Sequence, residues 1–431
     1  VGTDDGLVQV TEDGGQNWRR VEAFPGVPDT SFVHDVEASL HDPNTVFAVL
    51  NNFKRGDFKP YVFKSTDRGA TWTAIAGDLP NNGPAFSIVQ DHVEPNLLFL
   101  GTEFSSFASI NGGQSWIKLG NGLPTIPVRE LEIQKREGDL VAATFGRSFY
   151  VIDDYTPLRE LVTRSDEILA MDGHIFSIKP GDIYLRWNPG GEQGSDFYQA
   201  DNPEFGVTFT YLVGSSLRTR EATRRRQERG SASRNEDTPY PSWEELQAED
   251  REETPQIFLT IRDSDGAVVN TVRGSTSQGL HRTTWNYRYP SYTPVTSSNG
   301  GRSGGQGPMA LPGNYTVVLS ERIDGVVNQL SVETPFEISP IGRPAIPPQT
   351  HADVLAFQQE TGKLLRAVTG TQRSVEAAMA SINAIKQAIG QWPTATEAMQ
   401  DRARELELQL IDLQEKLNGS RTRTSRSEPD M

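Results

Sequence analysis

The sequence predicts a mainly β chain that begins as small antiparallel sheets in series, continues into a second β unit and ends in two helices. Three observations predict this. An eight-residue pattern occurs three times, as TEDGGQNW from Thr11, STDRGATW from Ser65 and SINGGQSW from Ser109. Around the copies run short alternating segments bounded by Gly, Pro, Asn and Asp, the signature of half-buried strands. After Pro340, Pro344, Pro347 and Pro348 the hydrophobic period becomes helical.

In each copy a Ser or Thr is followed two residues on by Asp or Asn, then by Gly, then by Trp. Short polar side chains bond their own turn backbone, Gly takes φ > 0, and the Trp opens the next strand as a core plug. Strands are expected at 32–40, 45–50, 61–65 and 72–75, then 85–93, 97–102, 107–110 and 115–119, then 128–134, 140–145 and 148–152. HDPNTVFAV from His41 and VEPNLLFLG from Val93 repeat as well, Pro-Asn turning the chain between first and second strands. Residues 1–21 hold only the end of a sheet.

The eight-residue pattern resembles the Asp-box, or BNR repeat, of sialidases, sortilins and xyloglucanases. The resemblance implies a β-propeller with the box between the third and fourth strands of each blade. GDLVAATFGRSFYVIDDYTPLREL, from Gly138 to Leu161, and the residues C-terminal to it resemble the large bacterial sortilin-like, BNR-repeat proteins of the glycosyl hydrolase type. Read so, the chain is a C-terminal portion: blades of a partial β-propeller over 1–160, completed by blades upstream or by another chain. An Ig-like β-sandwich comes next over 161–340 with a charged insertion at 214–255, then a Pro-rich linker at 341–349, an α-helical hairpin over 350–418 and a disordered tail at 419–431. A secreted, periplasmic or cell-surface location is implied, with any signal peptide upstream of Val1.

Within the second unit, HIFSIKP, DIYLRW and VTFTYLV read as strands, 256–274 as a hairpin about Asp265-Gly266, and 279–290 and 311–319 as two more strands. Gly279, Trp285 and the run Leu311 to Tyr315 resemble Ig-like modules of the flagellar hook-capping type. The insertion sets Arg218, Arg220, Arg224, Arg225, Arg226 and Arg229 before an acidic stretch from Glu236 to Glu253, a solvated and self-pairing excursion. Ser242 and Glu245 form a capping box that starts a helix at Trp243, and the Gly/Ser-rich loop 297–307 is flexible by composition. In the hairpin, a seam runs from Val354 through Phe357, Thr361, Leu364 and Val368 to Ile389, and Thr394 with Glu397 caps a second helix whose seam runs from Met399 to Leu417. The helices are unequal, so Phe357, Leu364 and Leu365 are expected to be covered by the Ig-like domain or another chain.

Composition excludes several chemistries. Lys and Arg number 41 against 57 Asp and Glu, a net charge of −16, so nucleic acid and anionic membranes are poor partners. With no cysteine there are no disulfides, thiol nucleophiles or thiolate metal sites. No run of about 18 apolar residues would span a membrane. The six histidines have no metal-ligand spacing, Asp263 to Gly266 lacks the later Glu of a calcium loop, and no glycine-rich stretch carries a Walker lysine, so no metal or cofactor is expected.

If the propeller holds, the boxes lie on the face opposite to that where propeller sites open, and Asp13, Asp67 and Asn111 with Trp18, Trp72 and Trp116 are structural. The other face takes Asp4, Asp5, the loop 51–60 with Lys54, Arg55 and Asp57, then Glu103 and Arg147. Asp4, Asp5 and Glu103 are the catalytic candidates, since a glycosidase needs two carboxylates roughly 5–5.5 or 6.5–9.5 Å apart. Lys54, Arg55 and Arg147 are the binding candidates, too scattered to be the arginine cluster of a sialidase. Two functions compete: a scaffold that binds a protein, peptide or glycan, and a glycoside hydrolase. The first is preferred, because repeats and packing modules are visible and a catalytic pair is not.

Overall fold

The computed structural model describes residues 1–120, 122–184, 202–238, 240–294, 306–342 and 348–419. It is mainly β with two C-terminal helices. β1 (Val8–Val10) and β2 (Arg19–Val21) pair alone. β3 (Phe32–Ala38), β4 (Val46–Asn52), β5 (Asp57–Ser65) and β6 (Thr73–Ala74) form an antiparallel meander. β7 (Ala85–Gln90), β8 (Leu98–Thr102), β9 (Ser106–Ser109) and β10 (Ile117–Leu119) repeat it, and β11 (Val128–Gln134), β12 (Asp139–Thr144) and β13 (Phe149–Ile152) repeat its first three strands. The first strands, β3, β7 and β11, lie side by side, so the sheets succeed one another like propeller blades. β5 begins four residues earlier than the expected strand at 61–65, because a 3-10 turn at Phe53–Arg55 and left-handed Gly56 close the loop 51–60 within one turn.

The three repeat turns share one set of bonds. Thr11 Oγ1, Ser65 Oγ and Ser109 Oγ each accept the N–H of a glycine four residues on, Gly15, Gly69 or Gly113, at 2.8 Å. Asp13, Asp67 and Asn111 each accept the N–H of the residue before the Trp, at 2.9, 2.8 and 2.9 Å. These bonds, led by that from the Asn17 backbone, hold Asp13 down at about 2, and the Thr71 hydroxyl and amide do the same for Asp67. Trp72 and Trp116 are buried as core plugs, and the Trp116 indole donates to Ile75 O at 2.8 Å. Trp18 differs: it is 49% exposed and its indole turns back to Gly15 O, because β1 and β2 offer no full sheet to plug.

A second device joins the sheets. Each first strand carries a one-residue bulge, between Val33 and Asp35, Ala85 and Ser87, and Val128 and Glu130. The residue after the bulge faces the next sheet: Asp35 Oδ2 accepts the Ile88 N–H at 2.9 Å, and Ser87 Oγ accepts the Leu131 N–H at 3.1 Å. Amides on the inner edge of a sheet have no strand partner of their own, so these side chains satisfy groups that would otherwise be orphaned.

α1 (Pro157–Leu169) comes after β13 and is locked to the sheet of β7. Fully buried Asp91 accepts Arg159 Nε at 2.9 Å and Nη2 at 2.8 Å, Tyr155 Oη at 2.5 Å and the amides of Val93 and Glu94. Burial alone would raise Asp91, but the bonds from Arg159 and Tyr155 outweigh it and leave the carboxyl below its ordinary range. At the other side of α1, Glu160 accepts His174 Nε2 and the Ser177 amide.

Beyond α1, two sheets share one core. β14 (Gly173–Ile175), β16 (Val207–Val213) and β19 (Gly279–Trp285) make one. β15 (Gly181–Ile183), β17 (Gln256–Asp263), β18 (Val268–Gly274), β20 (Gly313–Ile323), β21 (Val326–Gln329) and β22 (Thr334–Pro340) make the other. Phe209, Trp285, Leu259, Val317 and Phe336 interdigitate between them. The hairpin of β17 and β18 turns at Gly266, and Asp263 accepts the amides of Asp265 and Ala267. In the charged insertion, α2 (Arg220–Ser233) and α3 (Trp243–Arg251) pair through a bidentate Arg224–Glu249 contact, with both arms at 2.7 Å. The Ser242–Glu245 capping box is formed. The expected continuation of DIYLRW beyond Tyr184, most of the loop 297–307, residues 343–347 of the linker and the tail beyond Gly419 lie outside the described residues.

α4 (Pro348–Gln391) and α5 (Glu397–Asn418) form the hairpin. α5 begins after Thr396, whose side chain makes no capping bond, so the expected cap by Thr394 and Glu397 is not formed, and α4 starts two residues inside the expected linker. The second β unit does not supply the expected cover over Phe357, Leu364 and Leu365: among the described residues of this chain they are 69%, 65% and 56% exposed. α4 docks instead through the opposite face, where Leu355 is buried, Arg366 Nη2 donates to Ser291 O and Arg373 Nη1 to Pro294 O. Gly362 allows that approach, since a Cβ there would overlap the Tyr292 ring.

Replacing Asp91 by Asn leaves the half-buried Arg159 against a neutral partner and should lower unfolding stability by about 2–4 kcal/mol in urea titrations. An effect below about 1 kcal/mol would mean that α1 is held by packing alone.

Candidate functional site

β3, β7 and β11 all start at one end of their sheets, and the turns β4–β5, β8–β9 and β12–β13 lie at that same end. The repeat turns lie at the other, bonded to the first hairpin turns through Arg68 N to Asn44 O and Gly112 N to Asn96 O. Lys54, Arg55, Glu103 and Arg147 therefore share an end, away from the repeat turns.

The bulges decide what this end presents. The extra residues are His34, Phe86 and Arg129, at equivalent places in three successive sheets. A bulge re-aims its side chain out of the strand's alternation. Here the three stack on one another: the His34 ring centroid is 5.1 Å from that of Phe86, edge to face, and the Arg129 guanidinium lies 3.8 Å from the Phe86 centroid. His34 Nδ1 also bonds Phe86 O at 2.7 Å. The row extends at both ends, with Lys54 Nζ 5.4 Å from the Phe32 ring, Phe32 5.7 Å from His34, and Phe145 5.6 Å from Arg129. Phe53 closes the row from the turn after β4, 6.0 Å from Phe86. Burial, reinforced by the Arg129 charge, lowers the His34 pKa and favours its neutral ring. With its one N–H on Nδ1 given to Phe86 O, the neutral ring leaves Nε2 to accept a hydrogen bond without adding charge.

Glu103 pairs with Arg129 across 3.3 Å, not with a second carboxylate. Asp5 accepts the Thr3 hydroxyl in an exposed turn, and Asp4 is exposed beside it. The expected set of Asp4, Asp5 and Glu103 thus forms no hydrogen-bonded or ion-paired group. Arg55 is spent on Thr30 O at 2.5 Å, and Arg147 stands exposed at the tip of the β12–β13 turn. Phe145, 70% exposed, lies beside Arg129, and Phe104, 46% exposed, sits in the β8–β9 turn at the same end. The arrangement offers flat apolar faces backed by fixed positive charge, which suits stacking of sugar rings or of aromatic and acidic peptide side chains.

A second group lies along the same first strands. Asp35 and Glu37 on β3 and Glu130 and Glu132 on β11 interact electrostatically. Glu130 Oε1 accepts Ser87 Oγ at 3.0 Å. Burial, then repulsion from Asp35 and Glu132, pushes Glu37 up to about 7, and burial raises Asp35 as well. Sequence reasoning misses this group, although its signal is present: acids two apart in DVE and in ELE fall on one side of each strand. Among the described residues no group of three or more His, Asp or Glu side chains is placed to hold a metal ion, and no helix is long and apolar enough to cross a membrane.

No family model matches the chain, and no curated protein does. Solved structures similar to it include YCF48 bound to a D1 peptide, 12% identical with a TM-score of 0.27 over 76% of each chain. PorZ, a surface component of the type-IX secretion system of Porphyromonas gingivalis, is 12% identical with a TM-score of 0.29, over 78% of this chain and 42% of that one. The GH74 xyloglucanase of Xanthomonas campestris is 11% identical with a TM-score of 0.28, over 74% of this chain and 51% of that one. The chain thus spans about half or less of the latter two. Likenesses this weak carry no functional argument, and the propeller-like character rests on the sheets themselves.

A carboxyl raised on folding stabilises the protein below its unfolded pKa, and that stability is lost as pH rises through the folded value. For Glu37 the window runs from about 4.5 to about 7. Glu37→Gln should therefore raise unfolding stability by about 1–3 kcal/mol at pH 8 and leave it nearly unchanged at pH 4. Equal effects at both pH values in denaturant titrations would contradict the repulsion.

Proposed function

We propose that the chain is a binding scaffold whose aromatic and cationic end recognises a protein, peptide or glycan. The observation that carries this is the row His34, Phe86 and Arg129, built by three equivalent bulges and flanked by exposed Phe145. Phe86 is fully buried and forms the floor on which the half-buried His34 and Arg129 are held, so the three bulges in register place an imidazole and a guanidinium at this end of the sheets. Lys54, Arg55 and Arg147 supply positive charge around the row.

The same proposal reads the repeat turns as Asp-boxes of the BNR type and the chain as the C-terminal portion of a sortilin-like propeller protein of the cell envelope or exterior. In it, 1–160 are propeller blades, completed by an upstream segment or another chain, 161–340 an Ig-like sandwich with its insertion at 214–255, and 350–418 a hairpin after the linker. The shared bonds of the three turns support the first point, and the two sheets around Trp285 support the sandwich.

Binding of the whole chain to panels of immobilised glycans and of extended peptides tests the function. Phe145→Ala and Arg129→Met should each weaken binding of the recognised class about tenfold or more, as central aromatic and Arg contacts do. Thermal stability of the Phe145 variant should not change. Retention of full affinity by both variants would defeat the proposal.

One observation favours a hydrolase as second reading. Glu37, raised to about 7 beside Asp35 and Glu132, has the protonation that a general acid needs at neutral pH. On that reading the chain releases reducing sugar from a polysaccharide, and Glu37→Gln abolishes the release.

A further inference from the structure

Resting on the propeller reading, we infer that the sheet of β11, β12 and β13 seats one further stretch of the same repeat on the protein's own polypeptide. That stretch lays a fourth strand along β13 and then the first strand of another sheet over Phe149 and Val151.

The bulges align the three sheets residue by residue. Through them Val49, Gly101 and Ala143 hold one place in the second strands, and Val62, Ser106 and Phe149 the place beside it in the third. Val151 stands in the same way where Ala108 stands in the second sheet. In the first sheet Val49 and Val62 on this face are fully buried, packed on the sheet of β7. In the second sheet Phe99 and Ala108 are buried against the sheet of β11. The equivalent face of the third sheet is bare among the described residues: Phe149 is 70% exposed and Val151 53%. Large apolar side chains side by side on an open face mark a surface of contact.

Two devices of the repeat identify what belongs there. The residue after each bulge accepts an amide from the first strand of the next sheet, Asp35 that of Ile88 and Ser87 that of Leu131. Glu130 is third in this series; it is exposed, and its carboxylate turns back to Ser87. It holds an acceptor ready for one more first strand. The second device is the fourth strand. β6 pairs along β5 and β10 along β9, and each leads to the first strand of the sheet that covers its own, β6 to β7 and β10 to β11. One continuous stretch thus closes both the edge and the face. β13 pairs with β12 alone among the described residues, because at Asp154, with φ of 44°, the chain turns away into α1. Its open edge and the bare face beside it are the two surfaces that such a stretch covers together. Within this sequence, the longest run outside the described residues, 185–201, holds no alternating apolar run of first-strand length. The covering stretches of the first two sheets belong to the polypeptide that they cover, and the third is assigned likewise.

The chain contains no cysteine, so a single introduced thiol reports the face. In the protein as its own cells produce it, Phe149→Cys should react with a maleimide about tenfold or more slowly than after unfolding in urea, as a covered side chain does. Val326→Cys, on β21 and 61% exposed, should show little protection. Independently, a photo-reactive benzoylphenylalanine in place of Val151 should cross-link within the same polypeptide, to a peptide that carries a short strand followed by a bulged first strand of the repeat. Labelling of Phe149→Cys as fast in the folded as in the unfolded protein would overturn the inference. So would a cross-link to a peptide without the repeat or to another chain. Neither readout involves ligand binding near Arg129, so a failure of the glycan and peptide panels would defeat the scaffold alone.

Discussion

The inner edge of each sheet is the constraint on which the other features depend. A meander of four strands satisfies its own ladder but leaves the outward amides of its first strand without a partner, and these lie buried against the next sheet. The chain meets this with one extra residue per first strand. The bulge turns the following side chain, Asp35 or Ser87, toward the amide of Ile88 or Leu131 in the neighbouring sheet. In the third sheet the equivalent residue is Glu130, whose carboxylate turns back to Ser87. Sheets that share so few hydrogen bonds are thereby held in register by side chains.

The same bulge produces the candidate site. Since the extra residue leaves the alternation, it can point along the end of the sheet, and His34 and Arg129 do so, stacked on the fully buried Phe86. Structure and site are thus two consequences of one backbone irregularity. The cost appears in the acids: first strands that place Asp35, Glu37, Glu130 and Glu132 near one another raise Glu37 toward neutral pH. Local rules are broken where the candidate function sits, as expected when a fold concentrates its exceptions at a site.

Much of the architecture is legible in the sequence. The turns at Thr11, Ser65 and Ser109 can be read because each works through bonds within eight residues, and the hairpin at Gly266 and the cap at Ser242 are equally local. Trp18 misleads because its role depends on a neighbouring sheet, not on the repeat. Phe357 and Leu364 read as covered because a heptad seam states that something covers it and not what; the docking face of α4 is set by Gly362 and Tyr292, far apart in sequence. Site residues are the least legible. Glu103 stands out by position in its turn, but Arg129, Phe86 and His34 look like ordinary strand residues, and only the register of their partners reveals the bulge.

Whether the bulge residues join the sheets is tested most directly by native-state hydrogen exchange at the Ile88 and Leu131 amides. If Asp35 and Ser87 hold the sheets together, both amides exchange only through global unfolding, and Asp35→Ala accelerates exchange at Ile88 well beyond its effect on amides inside β8. Rapid exchange at Ile88 and Leu131 in the unaltered protein, with β4 and β8 fully protected, would show that the sheets open independently and contradict the account.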